Sequence, residues 1–239
     1  MQMETNFAYI DENYKRIVDA MEEAKAKYRK PTDEITLMAV TKTVAPEAVN
    51  HAISCGIHTL GENRVQEYLS KKYFYAKDAK VHFIGHLQTN KVKYIIEDME
   101  LIHSVDSLRL ARDIDRIGGE LGLYPKVLIE INVAGEESKF GISVEELPDM
   151  LEQMSVLTHL RVEGLMTIAP FVENSEENRP VFRTLRQLFI DNKSNPFHNI
   201  EMNVLSMGMT NDYQVAIEEG ATLVRIGTAL FGARQYTTA

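Results

Sequence analysis

The sequence has a single cysteine, Cys55, among its 239 residues. A disulfide within the chain and a zinc centre built from several cysteines are therefore excluded. Cys55 lies in a helix-like stretch, where we expect a buried structural thiol. Long apolar runs are also absent, and none approaches the roughly 20 residues that a membrane-spanning helix needs. The first residues, MQMETNFAYIDENYKRI, lack a charged segment followed by an apolar one, so we expect a protein of the reducing cytoplasm.

Positive charge is scarce as well, with 26 lysines and arginines against 35 acidic residues and a formal net charge of -9. This balance argues against a broad nucleic-acid surface or binding to anionic membrane, although it allows a local basic pocket. Neither GxxxxGK[ST] nor GxGxxG occurs, so the nucleoside triphosphate and Rossmann interpretations have no basis in the sequence. The hydrophobic content of 44% is ordinary for a globular chain with a sizeable core.

Short apolar segments alternate with amphipathic ones along most of the chain. The predicted strands are 35–42, 57–63, 80–86, 101–106, 126–133, 161–169, 203–208 and 222–227. The predicted helices are 6–28, 46–55, 64–77, 89–98, 107–121, 145–157, 176–193 and 212–219. Eight such units fit a closed (β/α)8 TIM-type barrel better than the alternative, an open doubly wound sheet. We expect residues 1–239 to form one monomeric barrel domain, with residues 1–30 as a leading helix packed on it.

The carboxyl ends of the predicted strands are polar, and barrels of this class carry their sites at those ends. The first strand, ITLMAVTK, ends on Lys42. Burial in an apolar barrel mouth lowers the pKa of a lysine amine, and the neutral amine can form a Schiff base with an aldehyde. Taken alone, Lys42 also fits an edge lysine or a salt-bridge partner. A phosphosugar isomerase or aldolase with a Schiff-base lysine is open too.

Small and hydroxyl-bearing residues follow the last two strands. LSMGMT (205–210) places Ser206 near the end of the seventh strand, and VRIGTALFG (224–232) places Gly227 and Thr228 after the eighth. Backbone N–H groups and hydroxyls in these two loops often hold a phosphate in barrels, although two tight turns would need similar residues. A phosphate grip facing a reactive lysine suits pyridoxal 5′-phosphate (PLP), which carries a phosphate and an aldehyde on one ring.

Arg225 stands two residues before Gly227, so its side chain faces the barrel interior if the strand ends at that glycine. A guanidinium donates hydrogen bonds and does not accept them. Beside a pyridine nitrogen, it would leave that nitrogen unprotonated and make PLP a poor electron sink. An arginine paired with a structural carboxylate is the alternative.

Seven segments in the same order resemble the pyridoxal phosphate homeostasis protein family across roughly residues 35–234. They are AVTKT (39–43), GENRVQE (61–67), HFIGHLQTNK (82–91), FGI (140–142), GLMTIAP (164–170), LSMGMTNDYQVAI (205–217) and VRIGTALFG (224–232). Three positions depart from the pattern of many relatives. Thr41 replaces a serine, Val81 replaces a tryptophan, and TVAPE follows Lys42 where a TKP is commoner.

The resemblance implies a fold-type III barrel like the N-terminal barrel of alanine racemase, with PLP bound to Lys42 as a Schiff base. It also implies that Ser206, Gly227 and Thr228 hold the phosphate and that Arg225 faces the pyridine nitrogen. Asn63 would lie beside the ring, with Val40 and Met207 flanking it.

The function that the resemblance implies is intracellular PLP homeostasis, with PLP-dependent apoenzymes as recipients. The alternative is a fold-type III enzyme such as an amino-acid racemase, in which a second, β-rich domain supplies a catalytic tyrosine. The chain ends at Ala239, shortly after the last barrel strand, so we expect a carrier or regulator without robust turnover and without catalytic residues. We also expect no metal site, since His82 and His86 lie four apart on a strand and turn rather than on a helix.

Overall fold

A computed structural model describes residues 7–136 and 138–233 of the chain. Eight parallel strands close into a barrel in chain order, and β8 returns to pair with β1. The strands are β1 (Thr36–Val40), β2 (Thr59–Glu62), β3 (Lys80–Phe83), β4 (Leu101–Val105), β5 (Lys126–Glu130), β6 (Arg161–Met166), β7 (Ile200–Met209) and β8 (Leu223–Ile226). The predicted closed barrel is confirmed, and the open sheet is excluded.

Helices surround the barrel. They are α1 (Ala8–Tyr28), α2 (Pro46–Ser54), α3 (Val65–Lys71), α4 (Leu108–Leu121), α5 (Leu147–Ser155), α6 (Arg179–Asp191), α7 (Tyr213–Glu218) and α8 (Thr228–Phe231). Three further segments are 3₁₀ helices: Lys72–Phe74, Thr89–Tyr94 and Ser175–Asn178. No helix in the ranges that the structure describes is long and apolar enough to cross a bilayer.

Two of the differences from the predicted elements are explained by burial. The α-helix expected over 89–98 is a 3₁₀ helix, whose three-residue repeat puts Val92 on the same side as Ile95, and both are buried. The seventh strand begins at Ile200, three residues earlier than expected, because buried Ile200 and Met202 alternate with exposed Glu201 in a half-buried strand pattern.

The leading helix packs on the outside of the barrel. Ile10, Ile17, Met21 and Ala24 form its buried face, at the three- and four-residue spacing of an amphipathic helix. It lies mainly against α7 and α8, the last two helices of the barrel. The prediction of this helix is confirmed for Ala8–Tyr28, while residues 1–6 lie outside the described part of the chain.

Candidate functional site

The turn after β1 fixes the backbone on both sides of Lys42. Thr43 has a φ of 62°, a left-handed conformation that β-branched residues rarely adopt. Its N–H donates to the carboxylate of Glu67 on α3. Lys71 donates to the same carboxylate and, at 3.1 Å, to the carbonyl of Thr41. These contacts hold an unfavourable backbone conformation in place, so the lysine projects from a rigid turn.

The Thr41 side chain supports this turn from behind the strand. It is fully buried, and its hydroxyl donates to Glu62 Oε1 at 2.7 Å. The phenol of Tyr75 donates to the same oxygen. Burial raises the pKa of Glu62, while these two hydrogen bonds act in the opposite direction. Thr41 therefore provides a hydroxyl directly before the lysine, as the serine of many relatives would.

A cavity of about 600 Å³ opens at the carboxyl end of the barrel. Five predicted site residues line this cavity. They come from β1, from β8 and from the segments that follow these two paired strands: Val40, Lys42, Arg225, Gly227 and Thr228. Strand pairing explains the convergence, because Ala39 is in register with Ile226 and the two chain segments leave the sheet side by side. The lysine and the glycine–threonine loop therefore face one space.

A second cavity, of about 610 Å³, meets the first at Lys42 and Thr228. Its far wall includes Phe7 and Tyr9 from the start of the leading helix. The Lys42 side chain is half-buried between the two cavities. A ligand bound to the lysine would therefore be reachable from two directions.

Arg225 lies at the floor of the first cavity and is almost fully buried. Its Nη1 donates to Ser206 Oγ at 2.5 Å, and its Nη2 donates to the Thr167 carbonyl at 2.8 Å. Burial lowers the pKa of Arg225 to about 10, so the guanidinium stays protonated at neutral pH. Its bonding partners among the described residues are neutral, and its orientation is set by two oxygens, one on β7 and one on the residue after β6.

A chain of hydrogen bonds continues from Arg225 across the barrel interior. Ser206 Oγ lies 3.0 Å from His103 Nδ1, and His103 Nε2 lies 2.9 Å from His82 Nδ1. Burial lowers the pKa of His82 to about 4 and the pKa of His103 well below its usual value, so both rings are neutral. His82 lines a third cavity at the opposite, amino-terminal face of the barrel. Polar groups thus connect the two ends of the barrel.

A buried carboxyl group shares the interior with the arginine. Glu130, at the end of β5, is 5% exposed, and burial together with nearby Asp106 raises its pKa to about 7. The Arg225 charge acts in the opposite direction on this pKa. Glu130 is therefore a group whose charge changes near neutral pH beside the cavity floor.

The remaining predicted site residues lie away from the cavity lining. Ser206 is fully buried beneath Arg225, and β7 continues past it to Met209. Met207 points the other way, into the apolar layer between strands and helices. Asn63 follows β2, and its Oδ1 is buried without a hydrogen-bond partner in the described ranges. The geometry brings Ser206 to the arginine rather than to the glycine–threonine loop.

Sequence reasoning missed the part of the cavity wall that joins the loops after β6 and β7. Asp212 accepts from the Met209 N–H at 2.7 Å and from Asn178 Nδ2 at 2.8 Å. Asn178 also donates to the Pro170 carbonyl at 2.9 Å. Thr210 lines the cavity beside these groups. The pairing of Asn178 with Asp212, 34 positions apart, has no local sequence signal.

Gly208, the next-to-last residue of β7, lies where the strand register shifts and where a side chain has no room. It has a φ of 90°, and a Cβ built on it would come within 2.5 Å of the Ala216 side chain. The glycine in LSMGMT is therefore explained by backbone conformation and close packing.

The remaining histidine and cysteine candidates have separate surroundings. His86 lies 2.9 Å from Asp106 and stacks on Phe140, with 3.9 Å between ring centroids, whereas His82 lies inside the barrel. The expectation of a buried Cys55 is wrong: the thiol is half-buried and lies 3.1 Å from Asp11 Oδ1. Cys55 follows the last residue of α2, on the side of this helix that meets α1 at the protein surface.

Comparisons with known proteins agree on one family. Residues 10–235 match the family described as alanine racemase, N-terminal domain. The chain is 44% identical over 227 residues to the pyridoxal phosphate homeostasis protein of Aquifex aeolicus, covering 94% of this chain and 98% of that protein. It is 39% identical over 229 residues to the protein of the same name from Pseudomonas aeruginosa, covering 95% and 96%.

Solved structures extend the comparison. PipY of Synechococcus elongatus, solved with PLP bound, is 34% identical and superposes with a TM-score of 0.78 over 90% of this chain and 100% of its own. Alanine racemase from Corynebacterium glutamicum superposes with a TM-score of 0.70 at 14% identity, over 98% of this chain and 63% of its own. The second likeness concerns the fold alone.

Proposed function

This chain belongs to the pyridoxal phosphate homeostasis protein family, and we propose that it binds PLP at the carboxyl end of its barrel and acts as a PLP carrier or regulator. One observation carries the proposal: Lys42, Arg225, Gly227 and Thr228 line a single cavity. An amine, a guanidinium and two backbone donors in one space match the aldehyde, ring nitrogen and phosphate of PLP. When bound, PLP would supply an aldehyde that can react with a lysine amine with loss of one water.

Lys42 is the residue that we assign to the aldehyde. Its backbone is held on both sides by α3, through Glu67 and Lys71. A fixed turn limits the positions that the amine can reach, and this lowers the entropic cost of meeting a bound aldehyde. Val40, on the same strand end, offers an apolar side chain to one face of the ring.

Arg225 is the residue that we assign to the pyridine nitrogen. Its two bonds to Ser206 and to the Thr167 carbonyl leave further N–H groups on the guanidinium for a ligand at the cavity floor. Because a guanidinium only donates, it would leave the pyridine nitrogen of bound PLP unprotonated. Asn63, with its unpartnered buried oxygen, stays a prediction for a residue beside the ring.

The phosphate belongs at the loops after β7 and β8 in this proposal. Gly227 and Thr228 supply backbone N–H groups and a hydroxyl, and Thr210 lies beside them, where its Oγ1 accepts from the Ala229 N–H at 3.4 Å. Ser206 was predicted for this role, but its hydroxyl already accepts from Arg225, so we assign it to holding that arginine. Met207 would then act only through its backbone, since its side chain packs outside the barrel.

A carrier needs a site that exchanges its ligand, and the two cavities that meet at Lys42 support this role. An open site admits water, which suits uptake and release better than chemistry on a carbanion. We propose PLP-dependent apoenzymes as recipients, and a monomeric single-domain chain as the acting species. Sedimentation equilibrium of the PLP-loaded protein tests the monomer.

The test of PLP binding is a titration of the purified protein with PLP, followed by absorbance, borohydride reduction and peptide mass mapping. We expect a visible Schiff-base band and a reduced pyridoxyl group on the peptide that contains Lys42. Lys139 is a second amine in the cavity wall, so the variant to compare is Lys42→Ala combined with Lys139→Ala. A pyridoxyl group elsewhere in the wild type, or no band with excess PLP, would overturn the assignment.

The carrier role has its own measurement. The PLP-loaded protein is mixed with the apo form of a PLP-dependent enzyme while a third protein traps free PLP. Recovery of enzyme activity despite the trap indicates direct transfer, and no recovery argues against a carrier even where PLP binding is confirmed.

A further inference from the structure

We propose that Asp11, His51 and Cys55 form a surface binding site for Zn²⁺, separate from the PLP cavity. The three side chains come from two helices, Asp11 from α1 and the other two from α2 and its carboxyl-terminal cap. Their ligand atoms, one oxygen, one nitrogen and one sulfur, all lie within 4.8 Å of one another. Among the described residues, this is the only group of its kind.

The spacing of the two α2 ligands suits a shared ion. His51 and Cys55 are four positions apart, and Cys55 keeps helical backbone angles at the cap, so both side chains leave the same face. Asp11 meets that face from the neighbouring helix. Its Oδ1 lies 3.0 Å from His51 Nε2 and 3.1 Å from Cys55 Sγ.

The two distances from Asp11 are close to those that zinc requires, and His51 Nε2 lies within 4.8 Å of Cys55 Sγ. With about 2.0 Å for Zn–N and Zn–O and about 2.3 Å for Zn–S, tetrahedral ligands lie about 3.3–3.6 Å apart. The carboxylate oxygen would need to withdraw by only a few tenths of an ångström, and it is on an exposed side chain. His51 and Cys55 are half-buried, so solvent supplies an entry path and a water as fourth ligand.

The donor set selects the metal. A thiolate, an imidazole and a carboxylate together suit Zn²⁺, whereas Mg²⁺ and Ca²⁺ prefer oxygen ligands throughout. Binding removes the proton from the Cys55 thiol and passes it to solvent. Without metal, Asp11 Oδ1 accepts hydrogen bonds from both neighbours, the His51 ring and the Cys55 thiol.

The position gives the site a structural consequence. Asp11 lies one turn along α1 from Phe7, whose ring is 5.3 Å from the His51 ring and which lines the second cavity with Tyr9. A metal at this point joins the first turn of the leading helix to α2, the helix that follows the Lys42 loop. Zinc would hold this wall of the second cavity in place.

The experiment is a zinc titration of the full chain, in PLP-loaded and PLP-free forms, against a chromophoric zinc indicator. We expect one Zn²⁺ per chain, and slower alkylation of the thiol when zinc is present. Because Cys55 is the only cysteine, any thiolate band that appears when Co²⁺ replaces zinc comes from this residue. Mg²⁺ should neither compete nor protect the thiol.

The variants Cys55→Ser and His51→Gln should each weaken zinc binding more than roughly 10-fold, since loss of even an outer-shell partner costs that much. His58→Gln is the matched control, because His58 lies 3.0 Å from Asp78 and the described residues place no third ligand beside this pair. The PLP absorbance band reports that each variant is folded. Zinc binding that persists unchanged in Cys55→Ser, or less than one zinc per chain at saturation, would overturn the proposal.

Discussion

The inside of the barrel and the layer outside its strands are built from different chemistry. The outer layer is one continuous apolar core between the strands and the helices. The interior has two small apolar clusters, Met38–Ile84–Leu223 and Leu101–Leu128–Met166. Next to them lie a hydrogen-bonded chain and a buried carboxyl group, formed by His82, His103, Ser206, Arg225 and Glu130.

The two regions therefore have different roles, one in stability and one in the site. Layers of branched apolar side chains commonly fill such barrels. Here the outer layer is left to supply most of the hydrophobic stabilisation, while the interior orients Arg225 beneath the cavity. Substitutions in the outer layer should therefore change stability, and substitutions in the interior should change the site.

The largest expected effect is in the outer layer. Phe182 on α6 is fully buried in that core. Phe182→Ala should lower the free energy of unfolding by about 3–5 kcal/mol, through lost burial and the cavity that remains. Urea unfolding measures this loss. PLP affinity per folded molecule should be unchanged.

Ile190 on the same helix is the control for Phe182. It is 47% exposed, so Ile190→Ala should change the unfolding free energy by no more than about 0.5 kcal/mol. Equal losses in the two variants, or a large change in PLP affinity with Phe182→Ala, would remove the distinction between the two layers.

The sequence predicts the residues of the outer apolar layer far better than the contacts in the barrel interior. Strands covered on both faces read as apolar runs, and all eight were found from those runs. Each polar side chain that points into the barrel is a single interruption in an apolar strand sequence. The sequence pattern therefore does not link His103 to Ser206, 103 positions away. The segment LSMG predicts a strand end close to Ser206. The strand instead continues to Met209, which leaves the serine inside.

The same limit applies at the cavity. Lys42, Gly227 and Thr228 stand at strand ends that the apolar runs reveal, and the cavity brings them together. Asn178 and Asp212 come from loops, and their contact depends on how two loops fold over one another. Such long-range polar contacts follow from the completed fold and have no periodicity of their own.

The next effect concerns pH and the interior carboxyl group. The pKa of Glu130 is about 7 in the folded chain, against 4.5 for an ordinary glutamate. A raised carboxyl pKa stabilises the fold below pH 4.5, and this stabilisation is lost as the pH rises through about 7. At 1.36 kcal/mol per pKa unit, the loss is about 3 kcal/mol. Glu130→Gln should not show this loss. The free energy of unfolding of the variant should therefore rise relative to that of the wild type between pH 4.5 and 7.

Chemical unfolding of PLP-free protein across this pH range measures the difference. His82 and His103, with lowered pKa values, destabilise the fold as the pH falls below about 6.5, but both proteins contain them and their effect cancels in the difference. Glu152→Gln, at an exposed position on α5, should give a curve parallel to the wild type. A parallel curve for Glu130→Gln would mean that Glu130 is as well solvated as a surface group.

The smallest expected effect is at Ser206, which we regard as a positioning residue for Arg225. Ser206→Ala removes one of the two oxygens that accept from the guanidinium, and the Thr167 carbonyl remains. Loss of one such hydrogen bond costs about 1 kcal/mol. PLP affinity should therefore fall roughly 5-fold, with a shift of the PLP absorption band that reports the altered environment of the pyridine nitrogen.

Ser104→Ala distinguishes positioning from mere burial of a hydroxyl. Ser104 on β4 is equally buried, but its Oγ has no hydrogen-bond partner among the described residues. Its removal should leave the PLP band and affinity unchanged and should not destabilise the fold. Ser206→Thr, which keeps the hydroxyl, should restore the band position. If Ser206→Ala lowers stability but leaves the band and the affinity as in the wild type, the serine is structural, and the polar interior does not act on the site.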